Sequence, residues 1–335
     1  MDTVTHIALG ACIGEAVLAK KLGSKAMFLG AIAQSVPDID FLSVLWTKMP
    51  QSLLAHRGFT HSILFCLLAM LFLGWLSWKL RRARDVPYWQ WVSFWGIQLF
   101  VHIFLDAFNN YGVGWFEPFS HYRLSFQAIF VADPFFSIWH GVAFAMLVIL
   151  RASSPHRKFW WKFGIIMSTV YLCYCIVNKV IVDNAIEKVL KKKGIAYNRY
   201  MTTPAPLNNW LWFVAAETDS GYYVGYRSVF DGSEPKRMSF FPRYPANVTV
   251  PADAEDIRLL KRFSQGYYTV EQWHDTLVFN DLRFGQVTGW YNPKERFAFH
   301  FYLGHDNNEL VVQRGRFAKW NRKTLRALFR RIRGE

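Results

Sequence analysis

Residues 62–78 read SILFCLLAMLFLGWLSW and contain no formal charge. Three further stretches repeat this pattern: WVSFWGIQLFVHIFL at 91–105, PFFSIWHGVAFAMLVIL at 134–150 and FGIIMSTVYLCYCIVN at 163–178. A helix needs about 20 mostly apolar residues to cross a bilayer, and each stretch reaches that length with its flanks. The sequence therefore predicts four membrane-spanning helices.

Two shorter apolar segments precede these spans, HIALGACIGEAVLA at 6–19 and SKAMFLGAIAQSV at 24–36. Because they are short for a bilayer, we expect two short helices that are re-entrant or packed inside the bundle. The chain is 52% hydrophobic and only 19% charged, whereas soluble domains average roughly 25% charge. This composition excludes a disordered or disulfide-stapled protein and predicts an α-helical membrane domain over residues 1–190.

The basic residues near the apolar segments gather in three short loops. These residues are Lys20, Lys21 and Lys25; Lys79, Arg81, Arg82 and Arg84; and Arg151, Arg157 and Lys158. The positive-inside rule assigns all three loops to the cytoplasm, and residues 37–61, 106–133 and everything after about 183 to the other side. The net charge of +15 is thereby explained by topology, so nucleic acid is not an expected partner.

From about residue 195 the sequence pattern is typical of a small α+β domain that is rich in strands. Residues 210–217 and 221–230 flank Thr218-Asp219-Ser220, which is a hairpin signal. Further strand-like runs occur at 275–284, 296–303 and 309–314, with a helix predicted at 253–264. We expect residues 195–335 to form an extracytoplasmic domain.

The last 20 residues alternate basic and apolar side chains. The basic ones are Arg316, Lys319, Arg322, Lys323, Arg326, Arg330, Arg331 and Arg333. This pattern is typical of a basic amphipathic helix that lies on an anionic membrane surface. A terminal helix that packs on the domain and faces solvent is the alternative.

Ionisable residues are costly within a membrane domain, so those that it retains are informative. They are His6, Asp38, Asp40, His56, Arg57, His61, His102, Asp106 and Asp133. The predicted topology places all of them at one level, near the outer interface. Imidazole and carboxylate ligands suit zinc, manganese or iron. Without Arg57 these eight residues exceed the ligands of one tetrahedral ion, so the sequence predicts a site for one or two divalent ions.

The spacing of these residues restricts how they can meet. His102 and Asp106 are four residues apart and share one helical face. His56 and His61 are five residues apart and cannot share one helical face, but they can converge if His56 lies in a loop and His61 opens the following span. Taken singly, each residue also has an ordinary structural interpretation, and Asp133 in an Asp-Pro pair often just starts a helix.

The order Thr5-His6, PDID, HRGFTHS, HxxxD and DP between hydrophobic segments resembles the YdjM family of membrane-bound, metal-dependent hydrolases. That family is grouped distantly with zinc-dependent phospholipase C and S1/P1-type nucleases. The resemblance covers roughly residues 1–182, and YMTTPAPLNNWLWFVAAETDSGYYVGY is similar to the downstream part of longer members. It implies a hydrolase in the cytoplasmic membrane of a bacterium, with zinc as the expected metal.

The function expected from these features is hydrolysis of a phosphoester in a lipid or lipid-linked substrate, by metal-activated water at the outer membrane–water interface. Asp38 or Asp106 would bridge two ions or take the proton from water, a role that Asp40 also fits. Arg57 would either grip a phosphate or form a salt bridge that holds the Asp38 loop. Membrane lipids are the expected partners.

Two other classes of function remain open. One is a non-enzymatic membrane scaffold or metal-binding protein in which the His/Asp cluster is structural. A transporter fits less well, because its polar residues should also lie near the bilayer midplane. The other is a haem protein with His6 and His102 as axial ligands, which the neighbouring carboxylates disfavour.

Overall fold

The computed structural model describes residues 1–335 except 81–85, 233–236, 246–254, 304–316 and 318. The predicted strand at 309–314 and the loop residues Arg81, Arg82 and Arg84 lie outside the described residues. The chain divides into two compact units. One comprises Met1–Ser43 and Ala55–Cys175, and the other comprises Val44–Leu54 and Ile176–Glu335. The second unit thus begins well before residue 195.

The described residues from Thr3 to Lys192 form helices that are joined by turns and loops. The helices are α1 (Thr3–Leu22), α2 (Lys25–Gln34), a 3-10 helix (Pro37–Leu45), α3 (Met49–Ala55), a short 3-10 helix (Phe59–His61), α4 (Ile63–Leu80), α5 (Tyr88–Asp106), α6 (Pro134–Ile149) and α7 (His156–Lys192). Pro37 prevents α2 from continuing as an α-helix, because the residue before a proline is disfavoured in the α conformation.

Among the described residues, three helices are long and apolar enough to cross a membrane: α1, α4 and α7. A fourth span results if α2 and the 3-10 helix Pro37–Leu45, bent by 53°, are counted as one broken span. The prediction of a helical membrane region is confirmed, but its four spans are not. The segment predicted as 6–19 is a helix of 20 residues, whereas α6 has only 16. Helix α5 is continuous over 19 residues, but polar side chains interrupt its apolar sequence.

Helices α1 and α2 pack closely through glycines. A Cβ atom on Gly30 would lie 2.0 Å from the backbone oxygen of Gly10, and one on Gly14 would lie 2.2 Å from that of Ala26. Small residues permit such close approach between helices in membranes. The contact between Gly10 and Gln34 brings the start of α1 to the end of α2, where the polar residues of the first unit gather.

Helix α1 is also tied to α7 by a buried ion pair. The Arg157 guanidinium donates from Nε and Nη2 to the two carboxylate oxygens of Glu15, each at 2.7 Å. Glu15 is therefore a buried structural contact, and it lies outside both groups of candidate metal ligands.

The C-terminal part forms two antiparallel sheets. The first has the order β1 (Arg199–Pro204), β2 (Leu211–Glu217), β3 (Gly221–Ser228) and β4 (Met238–Pro242), and the second has β5 (Tyr268–Trp273), β6 (Thr276–Gln286) and β7 (Phe297–Tyr302). The predicted hairpin is confirmed, with Glu217 opposite Tyr222. The strand-rich prediction is therefore correct for the described residues.

Two helices complete this unit, α8 (Glu255–Phe263) and α9 (Arg322–Ile332). Asn321 caps α9 by accepting hydrogen bonds from the backbone of Lys323 and Thr324. Leu328 is buried in the same apolar core as residues of β2 and β3. One face of α9 is therefore packed on the domain, as the alternative interpretation of the terminal segment proposed.

Candidate metal centre

Three segments of the first unit supply six of the eight predicted ligands. Asp38 and Asp40 lie in the 3-10 helix that follows α2, His56 and His61 flank the turn that precedes α4, and His102 and Asp106 occupy the last turns of α5. Within that turn Arg57 adopts a left-handed conformation with φ of 59°, which few residues other than glycine favour. The reversal turns the chain so that His56 and His61 approach the same two aspartates.

Four donor atoms converge at the centre of the cluster, one each from Asp38, His61, His102 and Asp106. The two Nε2 atoms of the histidines are 3.2 Å apart, and Asp38 Oδ1 lies 3.5 Å from each of them. Asp106 Oδ2 lies 3.5 Å from His61 Nε2 and 3.7 Å from His102 Nε2. Tetrahedral coordination with bonds of about 2.0–2.1 Å separates neighbouring donors by about 3.3–3.4 Å. The five separations therefore match the edges of a tetrahedral site.

The partners of the two imidazoles determine where their protons lie. His102 Nδ1 is 2.6 Å from the backbone oxygen of Gln34, which can only accept, so Nδ1 carries the proton. His61 Nδ1 lies 3.0 Å from the Asp40 carboxylate, which assigns its proton in the same way. Both Nε2 atoms then present lone pairs to two carboxylate oxygens. Such an arrangement is repulsive without a cation, and it is the usual environment of metal-bound histidine.

A second group consists of Asp38, Asp40 and His56, whose donor atoms lie within 4.8 Å of one another. Asp38 is common to both groups, so its carboxylate is placed to join two ions. The His56 side chain is 34% exposed and that of Asp38 is 16% exposed, whereas His61, His102 and Asp106 are buried. Desolvation lowers the pKa of His56 below its ordinary value, against the opposing effect of Asp40. A neutral imidazole is the form that binds a metal.

Asp40 also organises the turn that holds the histidines. It accepts hydrogen bonds from the backbone N–H of Arg57 at 2.8 Å and from Thr60 Oγ1 at 2.7 Å. Its other oxygen lies 2.8 Å from His56 Nδ1. Asp40 therefore orients both histidines of the HRGFTHS segment, whether or not it binds a metal itself.

Arg57 is buried, and its guanidinium points toward α5. It donates to Asn109 Oδ1 at 2.8 Å and to the backbone oxygen of Met1 at 3.0 Å. Its Nε lies 3.0 Å from Asp106 Oδ2, and its guanidinium stacks 5.0 Å from the ring centroid of Tyr111. Of the two roles considered for Arg57, the salt bridge is the one found, although its carboxylate partner is Asp106 and not the Asp38 loop.

His6 and Asp133 lie outside both donor groups. His6 stacks on His102 with ring centroids 3.8 Å apart and places Nε2 at 3.2 Å from Asp106 Oδ1. Asp133 caps α6 by accepting from the backbone of Phe135 at 2.9 Å, and it also accepts a hydrogen bond from Tyr171. We therefore leave both residues out of the ligand set proposed below, and Asp133 has the helix-starting role that an Asp-Pro pair allows.

Sequence reasoning missed several groups that position the ligands. The backbone oxygen of Gln34 selects the tautomer of His102 but has no side-chain signature. Thr60 lies within the HRGFTHS motif, where the sequence suggests only an N-cap for the following span, whereas its hydroxyl donates a hydrogen bond to Asp40. Asn109 follows the HxxxD motif by three residues and has no sequence pattern that marks it as part of the site.

The comparisons with known proteins agree with a membrane location. The model of the YdjM inner membrane protein family matches residues 1–182. The chain is 28% identical over 155 residues to "Inner membrane protein YbcI" of Escherichia coli (strain K12), which covers 46% of this chain and 82% of that protein. It is 25% identical over 350 residues to "Uncharacterized protein YfhP" of Bacillus subtilis (strain 168), covering 91% of this chain and 99% of that protein. No solved structure matches. Because the family model covers more than half of it, the chain belongs to the YdjM inner membrane protein family.

Proposed function

We propose that the protein is a membrane-bound, metal-dependent hydrolase of a phosphoester in a lipid or lipid-linked substrate. The observation that carries the proposal is the convergence of two imidazole nitrogens and two carboxylate oxygens, with separations close to the edges of a tetrahedron. Two nitrogen and two oxygen donors in this geometry favour zinc, while manganese and iron accept the same ligand types. The ligands are Asp38, His61, His102 and Asp106, with Asp40 and His56 completing a second position next to Asp38.

A divalent ion bound here would lower the pKa of a coordinated water to near 7 and so supply hydroxide at neutral pH. Asp38 is the partly exposed carboxylate of the four-donor group, so it is the group that can join two ions and accept a proton from water. Asp106 is held in place by Arg57 and His6. Arg57 acts as a positioning residue in this scheme, because its donors are already directed to protein oxygens.

The accessible edge of the candidate metal centre is the side where His56 and Asp38 are partly exposed. The side chains around this edge support a lipid substrate. Ile39 and Phe41 adjoin the two aspartates and are exposed, as is Phe59 in the HRGFTHS segment. The loop after α5 is hydrogen-bonded to that segment through Gly114 and Arg57, and it carries the exposed Phe119. Polar ligands within an apolar surface suit a molecule with a charged headgroup and apolar chains. The positive-inside rule assigns this edge to the outer interface.

The experiment is metal analysis of the purified full chain, combined with turnover of a panel of phospholipids. We expect one or two transition-metal ions per chain and hydrolysis of a phosphoester, and both should be lost in His102→Ala. The matched control is His121→Ala, since His121 is exposed and pairs with Glu117. A folded wild type without stoichiometric metal would refute the proposal. Bound metal without turnover of any substrate would favour the non-enzymatic alternative.

A further inference from the structure

Helix α9 has a second apolar face that the described residues of the domain do not cover. Leu328 points into the core, whereas Leu325 is 36% exposed and Phe329 is 61% exposed. These two side chains are four residues apart and therefore adjacent on the helix surface. Four exposed arginines surround them and line an open depression of about 630 Å³: Arg322, Arg326, Arg330 and Arg333.

The contrast with α8 shows that this arrangement is not a general property of helices in the unit. Helix α8 buries its apolar side chains Ile257, Leu260 and Phe263. Its exposed side chains carry both signs of charge, with Glu255 and Asp256 in the first turn and Arg258 and Arg262 beyond it. Helix α9 contains no acidic residue between Arg322 and Ile332. Its exposed face is therefore predominantly basic around an apolar pair, with Glu335 at the C-terminal edge of the depression.

We propose that this face of α9, defined by Leu325, Phe329 and the four arginines, docks on the surface of an anionic lipid bilayer. The apolar pair would enter the boundary between headgroups and acyl chains while the arginines pair with lipid phosphates. Each basic residue close to an anionic membrane strengthens binding about fivefold. The proposal is independent of the metal chemistry.

The second unit is joined through the chain to a candidate membrane-spanning helix. Helix α7 has 37 residues, which corresponds to a length of about 55 Å, whereas the hydrocarbon core of a bilayer is about 30 Å thick. This helix is a candidate membrane span, and its residues from Ile176 onward belong to the second unit. A tethered surface acts at high effective concentration, so that even weak contacts hold the domain on it.

The test uses the full chain in nanodiscs of phosphatidylcholine alone or mixed with phosphatidylglycerol. Phe329→Cys carries an apolar, environment-sensitive fluorophore, and Cys173→Ser removes the exposed thiol, since the other three cysteines are buried. We expect a blue shift of the emission with phosphatidylglycerol and its reversal at high salt. Arg326→Gln with Arg330→Gln should lower the docking equilibrium about 25-fold.

The matched control is Arg258→Gln with Arg262→Gln on α8, which removes the same charge from the same unit and should leave the shift unchanged. Identical emission in the two kinds of nanodisc would overturn the proposal. So would an equal loss in the α8 control, because net charge rather than this face would then be responsible. A shift that depends on protein concentration and not on lipid would assign the face to a protein partner instead.

Discussion

Replacing Asp40 by asparagine tests how the centre is held, because it removes no atom from the four-donor group. The Asp40 carboxylate meets donors on both sides: His56 on one oxygen, and Arg57, Thr60 and His61 on the other. An amide NH₂ must therefore face at least one donor, and the uncharged amide oxygen holds the His61 proton less strongly. Loss of such a partner typically weakens metal binding tenfold to a hundredfold.

Zinc that binds the folded state and not the unfolded state raises the free energy of unfolding, so weaker zinc binding lowers this gain. At a zinc concentration 100 times the dissociation constant, binding stabilises the wild type by about 2.7 kcal/mol. At the same concentration, affinity weakened tenfold to a hundredfold leaves about 1.4 to 0.4 kcal/mol. The assay is thermal unfolding of the purified full chain in detergent, with titrated zinc and with chelator.

The control is Asp133→Asn, because asparagine also caps a helix and Asp133 lies outside both donor groups. It should retain the full zinc-dependent shift in Tm. The account of the centre fails if Asp40→Asn keeps the wild-type shift, or if Asp133→Asn loses as much of it as Asp40→Asn does.

Three further predictions concern packing and ion pairing elsewhere in the two units, each checked by thermal unfolding of the full chain. Gly30→Ala should destabilise the helical unit by about 1–3 kcal/mol, because the facing backbone of α1 leaves no space for a Cβ atom; an unchanged Tm would contradict the close contact. Leu328→Ala should cost about 2–5 kcal/mol by opening a cavity, whereas Phe329→Ala on the exposed face should change stability by less than about 0.5 kcal/mol. Glu15→Gln should cost about 3–5 kcal/mol by leaving Arg157 buried without its charge partner, and Glu15→Gln combined with Arg157→Met should recover part of that loss.

The apolar stretches predicted a helical membrane region, but not where each helix ends. The apolar part of segment 6–19 lies between His6 and Lys20, so the segment looks too short to cross a bilayer. In the structure Asp2 caps α1 and Gly23 ends it, so the helix is longer than its hydrophobic core. Conversely, α6 begins at an Asp-Pro cap and ends at residue 149, which leaves it short. Helix ends depend on caps and tertiary contacts that a count of apolar residues does not include.

The candidate site was predictable in its residue types and only partly in its arrangement. The four-residue spacing of His102 and Asp106 placed both on one face, and the structure confirms that they face the same cluster. Spacing could not show that Asp133 is held by the cap of α6 and a hydroxyl from α7. Nor could it show the direction of Arg57, which depends on a left-handed turn and on Asn109 beyond the motif.

The position of Asp38 in both donor groups has a consequence for how the centre would fill. A carboxylate shared by two cation positions links their occupancies through a coupling free energy, and that coupling is reciprocal. Filling the four-donor position neutralises the charge that Asp38 offers to the position of Asp40 and His56. The two positions should therefore differ in affinity, and a metal titration should show two unequal steps rather than one.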